Sequence, residues 1–405
     1  MGVEIIKILF LFIYIFLFFY LIKKVKITVL YSLIFFLNIS VLLSLILIEY
    51  GMFIYEQAVD GYENGSFYIY LLYSFASLLL FYYLSLKKPF SNQYFHRKKI
   101  NIFLPTSIVF SFVLLYCYYI NPSFNRFDVF DGPFKLIFVR VEYIFSFAFL
   151  YSLISVRNIS KKLIIYFIYA LIMFFRGSEF GAFFIATIWF LMTFHIEEKV
   201  FSFKWIFICL VLLVLPFFIK LTFMDLISVV SRIVLEGHVF WGTINLVMQN
   251  GPNLEFSSFI NNYNDLFSGF QQANIEYGFG KLMFEISPHF AEISINSNVR
   301  FAAGFPAIVI YHFGLGFGFL LYLLITLIYF FIIRFLFICF NNKNLLLSFV
   351  FFYMIFNTFS DFIIQGEYAN FRVKFLIKLV ITLFVYYLYK NSTNQVATKV
   401  NLSHS

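Results

Sequence analysis

An all-α integral membrane protein is the fold class this sequence predicts, and three observations predict it. The chain of 405 residues is 62% hydrophobic and only 12% charged, with a mean hydropathy of +0.90. Soluble domains carry roughly a quarter charged residues. Apolar runs of membrane length recur along most of the chain, and a helix needs about 20 such residues to cross the hydrocarbon core. The runs do not alternate apolar with polar residues, as the strands of a transmembrane β-barrel would. In lipid they satisfy their backbone groups as helices.

The elements follow in order. The run at 4–22 has no small-residue cleavage site leading into a soluble chain, so it reads as a retained helix and not a signal peptide. Spans follow at 27–48, 67–86, 100–120 and 136–155. Runs at 163–175 and 182–195 are shorter and flank Arg176-Gly177-Ser178-Glu179-Phe180-Gly181, so they form a tilted pair or a re-entrant element. A run at 205–223 ends the first block, and runs at 304–333, 345–363 and 373–390 close the chain. The expected total is about eleven spans (10–12) in a single membrane domain over 1–405. Cys117, Cys209 and Cys339 lie in or at the ends of apolar runs with no metal-ligand spacing, so neither disulfides nor a zinc site is expected.

Basic residues set the orientation. One set of loops holds 17 of the 29 Lys and Arg residues, among them Lys23, Lys24 and Lys26, then Lys87, Lys88, Arg97, Lys98 and Lys99. The opposite short loops are acidic, with Glu49, Glu56, Asp60 and Glu63 in one and Asp128 and Asp131 in another. The basic side is cytoplasmic. The net charge of +9 is therefore mostly topology, and no nucleic-acid partner is expected.

The one long polar stretch, 224–303, then lies outside, in the periplasm of a Gram-negative cell. It carries seven acids and three bases, Arg232, Lys281 and Arg300, for a net charge of −4. Its first part, near 225–250, has Leu226, Val230, Ile233, Val234, Trp241, Ile244 and Val247 at helical spacing, which predicts an amphipathic helix lying at the membrane interface. Asn250-Gly251-Pro252 and Asn261-Asn262-Tyr263-Asn264-Asp265 read as irregular loop with side chains suited to sugars.

Charges inside or at the edge of lipid are costly and are functional candidates by default. On the outer side these are Arg176, Glu179, Arg300, His312, Asp361, Glu367 and Arg372. The guanidinium fork suits phosphate oxygens, so Arg176 and Arg300 form a candidate pyrophosphate clamp, with Glu179, Asp361 and Arg372 in support. The plainer reading of Arg176 is a pair with Glu179 that pins the turn. Arg140 and Glu142 read as an ion pair inside the fifth span. His289 and Glu292 are three residues apart, so on a helix they share a face, and either can serve as general base; loop solvation is the plainer reading. His312 precedes Gly314, Gly316 and Gly318, small residues that permit close helix packing; it is a hydrogen-bonded core histidine or a site residue. No paired-Asp metal motif, Walker A, HExxH or GxSxG sequence is present, so no metal and no cofactor are expected.

The layout resembles the O-antigen polymerase (Wzy) family. The resemblance covers nearly the whole chain: the number of spans, one long outer loop in the second half, and a smaller Arg-bearing loop before it. Locally, Arg176 to Gly181 and Arg300 to Pro306, with Gly314 and Gly316 beyond, are similar to the loop arginine and re-entry regions of that family. The resemblance implies a GT-C-like fold in the bacterial inner membrane and metal-independent glycosyl transfer at the periplasmic face. The growing chain on undecaprenyl pyrophosphate is transferred to a new lipid-linked repeat unit, so donor and acceptor are both lipid-linked oligosaccharides. A chain-length regulator is the implied protein partner. Arg176 and Arg300 would stabilise the departing pyrophosphate, and Glu292, His289 or His312 would take the acceptor hydroxyl proton. The O-antigen ligase, with a His in or beside its long loop, is the near alternative. A repeat-unit flippase is the alternative of different class, but the chain shows no repetition of loop lengths.

Overall fold

The computed structural model describes residues 2–25, 28–51, 65–86, 102–120, 133–156, 158–176, 186, 189–190, 226–254, 278–287, 304–341, 345–365 and 375–388. Among these residues every regular element is helical and no strand occurs. Among the described residues, four helices have stretches long and apolar enough to cross a membrane: Ile5–Ile22, Ser66–Ser85, Phe103–Ile120 and Phe305–Leu336. That build fits a membrane protein. The expected spans at 182–195 and 205–223 lie almost wholly outside the described residues.

The chain divides into two compact units, Ser91–Met224 and the remainder. The first unit contains α4 (Phe103–Ile120), α5 (Pro133–Ser155) and α6 (Ile159–Phe175). Aromatic stacking holds it together: Tyr169 of α6 lies 3.9 Å from Phe149 and 5.0 Å from Phe145 of α5, centroid to centroid. The Tyr169 hydroxyl is shared with Ser146 at 3.0 Å, so the ring is buried without stranding its polar end. α6 begins earlier than its apolar run suggests. The Asn158 side chain accepts from the backbone N–H groups of Ser160 and Lys161, an N-cap that starts the helix ahead of the continuous apolar run that begins at Leu163.

The second unit contains α1 (Gly2–Ile22), α2 (Thr28–Glu49), α3 (Ser66–Ser85), α7 (Leu226–Asn250), α8 (Gly278–Ile286) and α9 (Gly304–Asn341). After α9 come α10 (Leu345–Phe351), a π-helical turn (Phe352–Phe356), α11 (Asn357–Gln365) and α12 (375–388). α1, α2 and α3 are locked at one end by Glu49. Its carboxylate meets the Lys7 ammonium at 2.7 Å and accepts from Ser66 Oγ at 2.8 Å and the Phe67 N–H at 3.1 Å. The last residue of α2 thereby caps α3, where an anion also complements the helix dipole.

α7 forms where the apolar spacing places it, but its surroundings differ from those of a surface helix. It packs most extensively against α2 and next against α9, and every residue from Gly237 to Thr243 is buried. Trp241, expected at an interface, is fully buried. The reason is a close approach: the Gly237 N–H donates to Ser44 Oγ at 2.7 Å, and that hydroxyl donates to the Val234 carbonyl at 2.8 Å. A Cβ on Gly237 would lie 2.6 Å from Ser44 Oγ, so only glycine lets α7 sit this close to α2.

α9 is not one straight rod. Phe305 and Gly314 have non-helical backbone angles, with Gly314 at φ 72° and ψ 179°. The Phe305 ring stacks on Tyr322 at 5.4 Å, although seventeen residues of continuous helix would separate them by about 25 Å. A Cβ on Gly318 would stand 3.1 Å from the Ile310 Cα. The chain therefore doubles back at Gly314. A short arm, 306–313, folds against a long arm, 315–341, of roughly 40 Å. The short arm is deeply buried, with residues 305–312 all in the core. Irregular backbone at membrane depth is tolerated only where protein surrounds it.

Candidate functional site

The turn of this hairpin leaves the last carbonyls of the short arm without helical donors. The segment after α7 supplies one. The Asn253 N–H donates to the Tyr311 carbonyl at 2.8 Å, and Pro252 packs against Gly314, where a Cβ would sit 3.5 Å from its ring. On the other side of the turn, the Tyr73 hydroxyl of α3 donates to the Leu315 carbonyl at 3.0 Å. The turn is thus held by α3 and by residues 251–254.

A polar chain runs outward from it. Asn253 Nδ2 donates to the Tyr311 hydroxyl at 2.6 Å, and that hydroxyl donates to Glu285 Oε2 of α8 at 2.9 Å. His312 Nδ1 faces the Asn253 carbonyl at 3.3 Å. A carbonyl only accepts, so Nδ1 carries the proton, and Nε2 is the basic nitrogen of the neutral ring. Tyr311 and His312 are buried, Asn253 is half-buried and Glu285 is exposed. Lys281, one turn earlier on α8, is within electrostatic reach of His312. The result is a line of acceptors and donors that begins in the core and ends at the surface. The set orients an imidazole in the core and presents a carboxylate at the surface.

The other described candidate lies in the first unit. Arg176 follows the last residue of α6, and its Nε donates to Glu142 Oε2 at 3.3 Å. Glu142 takes Arg176, not the Arg140 partner expected from sequence proximity. Both side chains keep about a fifth of their area exposed, at 20% and 23%. The end of α6 is fixed by the Tyr118 hydroxyl, which donates to the Phe175 carbonyl at 2.6 Å. Arg176 is therefore a tethered cation at a helix end.

Of the outer-side and catalytic candidates named from sequence, His312 and Arg176 have described side chains. Asp361 lies on α11, with its side chain outside the described residues. Glu179, His289, Glu292, Arg300 and Arg372 lie outside the described residues. The structure adds Glu285, Tyr311 and Asn253 to His312. Their signal was present but weak: Asn250-Gly251-Pro252 marks a turn, and the glycines at 314, 316 and 318 mark a bend. Nothing in the one-dimensional pattern says that the two meet. Among the described residues, no group of three or more His, Cys, Asp or Glu side chains is arranged to hold a metal ion.

Residues 272–391 match the model of a family of unknown function (DUF6418). The match takes in α8, the whole α9 hairpin and the helices after it, but under a third of the chain. No curated protein and no solved structure matches the chain.

Proposed function

We propose that the chain is an O-antigen-type polysaccharide polymerase of the bacterial inner membrane. In this reading it has about eleven spans in a GT-C-like arrangement, and the polar stretch 224–303 is its long periplasmic segment, with α7 folded back against α2. It transfers a glycan from undecaprenyl pyrophosphate to the end sugar of a second lipid-linked repeat unit. A chain-length regulator is its protein partner. The observation that carries the reading is the hairpin turn at Gly314, which holds His312 beside the Asn253–Tyr311–Glu285 chain.

The roles divide by chemistry. Arg176 and Arg300 bind phosphate oxygens and stabilise the charge that builds on the departing pyrophosphate. One of Glu292, His289 and His312 takes the acceptor hydroxyl proton. Of these, His312 has its tautomer set by the Asn253 carbonyl, which leaves Nε2, buried in this structure, as its basic nitrogen. Glu285 and Asn253, the members of the chain with exposed surface, offer hydrogen bonds to sugar hydroxyls, and the buried Tyr311 positions them. Glu179, Asp361 and Arg372 support the outer edge. The donor carries its own leaving group, so the transfer needs no nucleotide sugar.

A second reading has a specific observation in its favour. A helix broken at membrane depth, like α9, is a feature of transporters, in which a repeat-unit flippase would be grouped. The surface lipopolysaccharide of a deletion strain separates the readings. Loss of a polymerase leaves core plus one repeat. Loss of a ligase leaves bare core with lipid-linked polymer retained inside, and loss of a flippase leaves bare core without that polymer. Bare core would overturn the polymerase.

A further inference from the structure

Halfway along α2, away from the hairpin turn, the second unit holds a partly open cavity of about 60 Å³. That is room for a few water-sized groups. Its polar lining comes from four helices: Asn38 and Ser40 of α2, Tyr70 of α3, Glu236 of α7, and Tyr322 and Thr326 of α9. The uncharged members are already engaged with one another. Tyr70 donates to Asn38 Oδ1 at 3.3 Å, while Asn38 Nδ2 donates to Ser77 Oγ at 3.0 Å and to the Tyr14 hydroxyl at 3.3 Å. Tyr322 contacts Ser77 and Thr326, and Tyr329, also in the wall, shares a hydrogen bond with Ser360 at 3.0 Å.

Glu236 is the exception. It is the one carboxylic acid in this wall, and among the described residues no Lys, Arg or His lines the cavity. The buried acid of this unit, Glu49, is met by the Lys7 ammonium. Arg232 lies one turn earlier on α7, with its side chain outside the described residues. Glu236 is half-buried, and a carboxylate in such surroundings carries a desolvation cost that a joining positive charge offsets. The hydroxyl-rich cavity beside it has the space and the oxygen atoms to admit one.

We propose that this cavity is a site for one small monovalent cation, taken up on the Glu236 carboxylate as a proton or as Na⁺. The two sources share the same chemistry: a single positive charge neutralises the carboxylate, and the hydroxyl oxygens of Tyr70, Tyr322 and Thr326 surround it. The site is independent of the sugar chemistry proposed above. It gives the bundle a charge-sensitive centre where α2, α3, α7 and α9 meet.

The test uses the purified full-length protein and dicyclohexylcarbodiimide, which modifies protonated carboxyl groups in apolar settings. Mass spectrometry should find the label on the Glu236 peptide at neutral pH, with less at alkaline pH. Replacing choline chloride with sodium chloride separates the sources: slower labelling identifies Na⁺, and unchanged labelling identifies the proton alone. In parallel, the wild-type thermal midpoint should fall as pH rises in sodium-free buffer, because the folded state then holds a proton that the unfolded state has released. Glu236→Gln, which mimics the protonated acid, should flatten that dependence. The labelling arm is read on wild type, so it does not depend on the variant folding. Absence of label at every pH overturns the proposal, and so does a Glu236→Gln profile that follows wild type across pH and sodium.

Discussion

Glu49 and Glu236 are both acids within the same helical unit, yet their surroundings have almost nothing in common. Glu49 is met by an ammonium, a hydroxyl and a backbone N–H, so every element it touches is fixed by it. Glu236 faces a cavity walled by tyrosines, Thr326 and Asn38 with no described cation. The difference teaches how to tell a structural charge from one available for binding. Glu49 is buried and Glu236 is half-buried, but the chemical difference is that a described countercharge meets only Glu49. The same criterion distinguishes the hairpin turn, where the polar chain ends at an exposed Glu285, from the fully closed Lys7–Glu49 pair.

The sharpest way to break the comparison is to remove a partner from the closed site. Glu49→Ala removes the carboxylate that meets Lys7, Ser66 and the Phe67 N–H, and losing one member of a buried pair costs about 3–5 kcal/mol. The thermal midpoint in detergent should drop far more than for Glu236→Gln at neutral pH. Equal losses would mean that the two acids are not different in kind.

Next in size is the hairpin. Gly318→Ala pushes a methyl to 3.1 Å from the Ile310 Cα, and overpacking of this sort costs about 1–3 kcal/mol. At Gly316, two residues away, an added Cβ would meet nothing within 4 Å, so Gly316→Ala should be neutral or slightly stabilising through helix propensity. Unfolding midpoints of the two variants check the doubled-back geometry directly, since a straight α9 gives no reason for them to differ.

Tyr73→Phe should cost about 1 kcal/mol, the usual net value of a hydrogen bond, because it removes the donor to the Leu315 carbonyl beside the turn. The smallest expected effect is the coupling between Arg176 and Glu142. Both side chains are partly exposed, so a double-mutant cycle should return less than about 1 kcal/mol. A large coupling would make Arg176 a structural residue and weaken its role as a phosphate ligand.

Much of the fold was legible in the sequence because apolar run length is a one-dimensional property. The runs at 4–22, 27–48, 67–86 and 100–120 correspond closely to α1 to α4. The start of α6 was missed because Asn158 caps it ahead of the apolar pattern, and the doubling-back of α9 was missed because both arms are equally apolar. Only Gly314, with its positive φ, marks the turn, and a glycine in an apolar run also fits close packing in a straight helix. The site was legible in part for the same reason. His312 stands out as an ionisable residue in an apolar run, and Arg176 as an outer arginine. Glu285 was one acid among seven in the polar stretch, and Asn253 was a turn residue; their partnership with Tyr311 exists only once the hairpin is folded. Glu236 was counted as loop charge, since nothing in the chain order says that α7 inserts against α2.

The central claim is that the hairpin turn handles a lipid-linked sugar, and complementation of a deletion strain tests it most directly. Wild type and Gly316→Ala should restore the long lipopolysaccharide ladder. His312→Gln and Glu285→Gln, present in the membrane at wild-type level, should leave core plus one repeat. A full-length ladder from both of these variants would contradict the account.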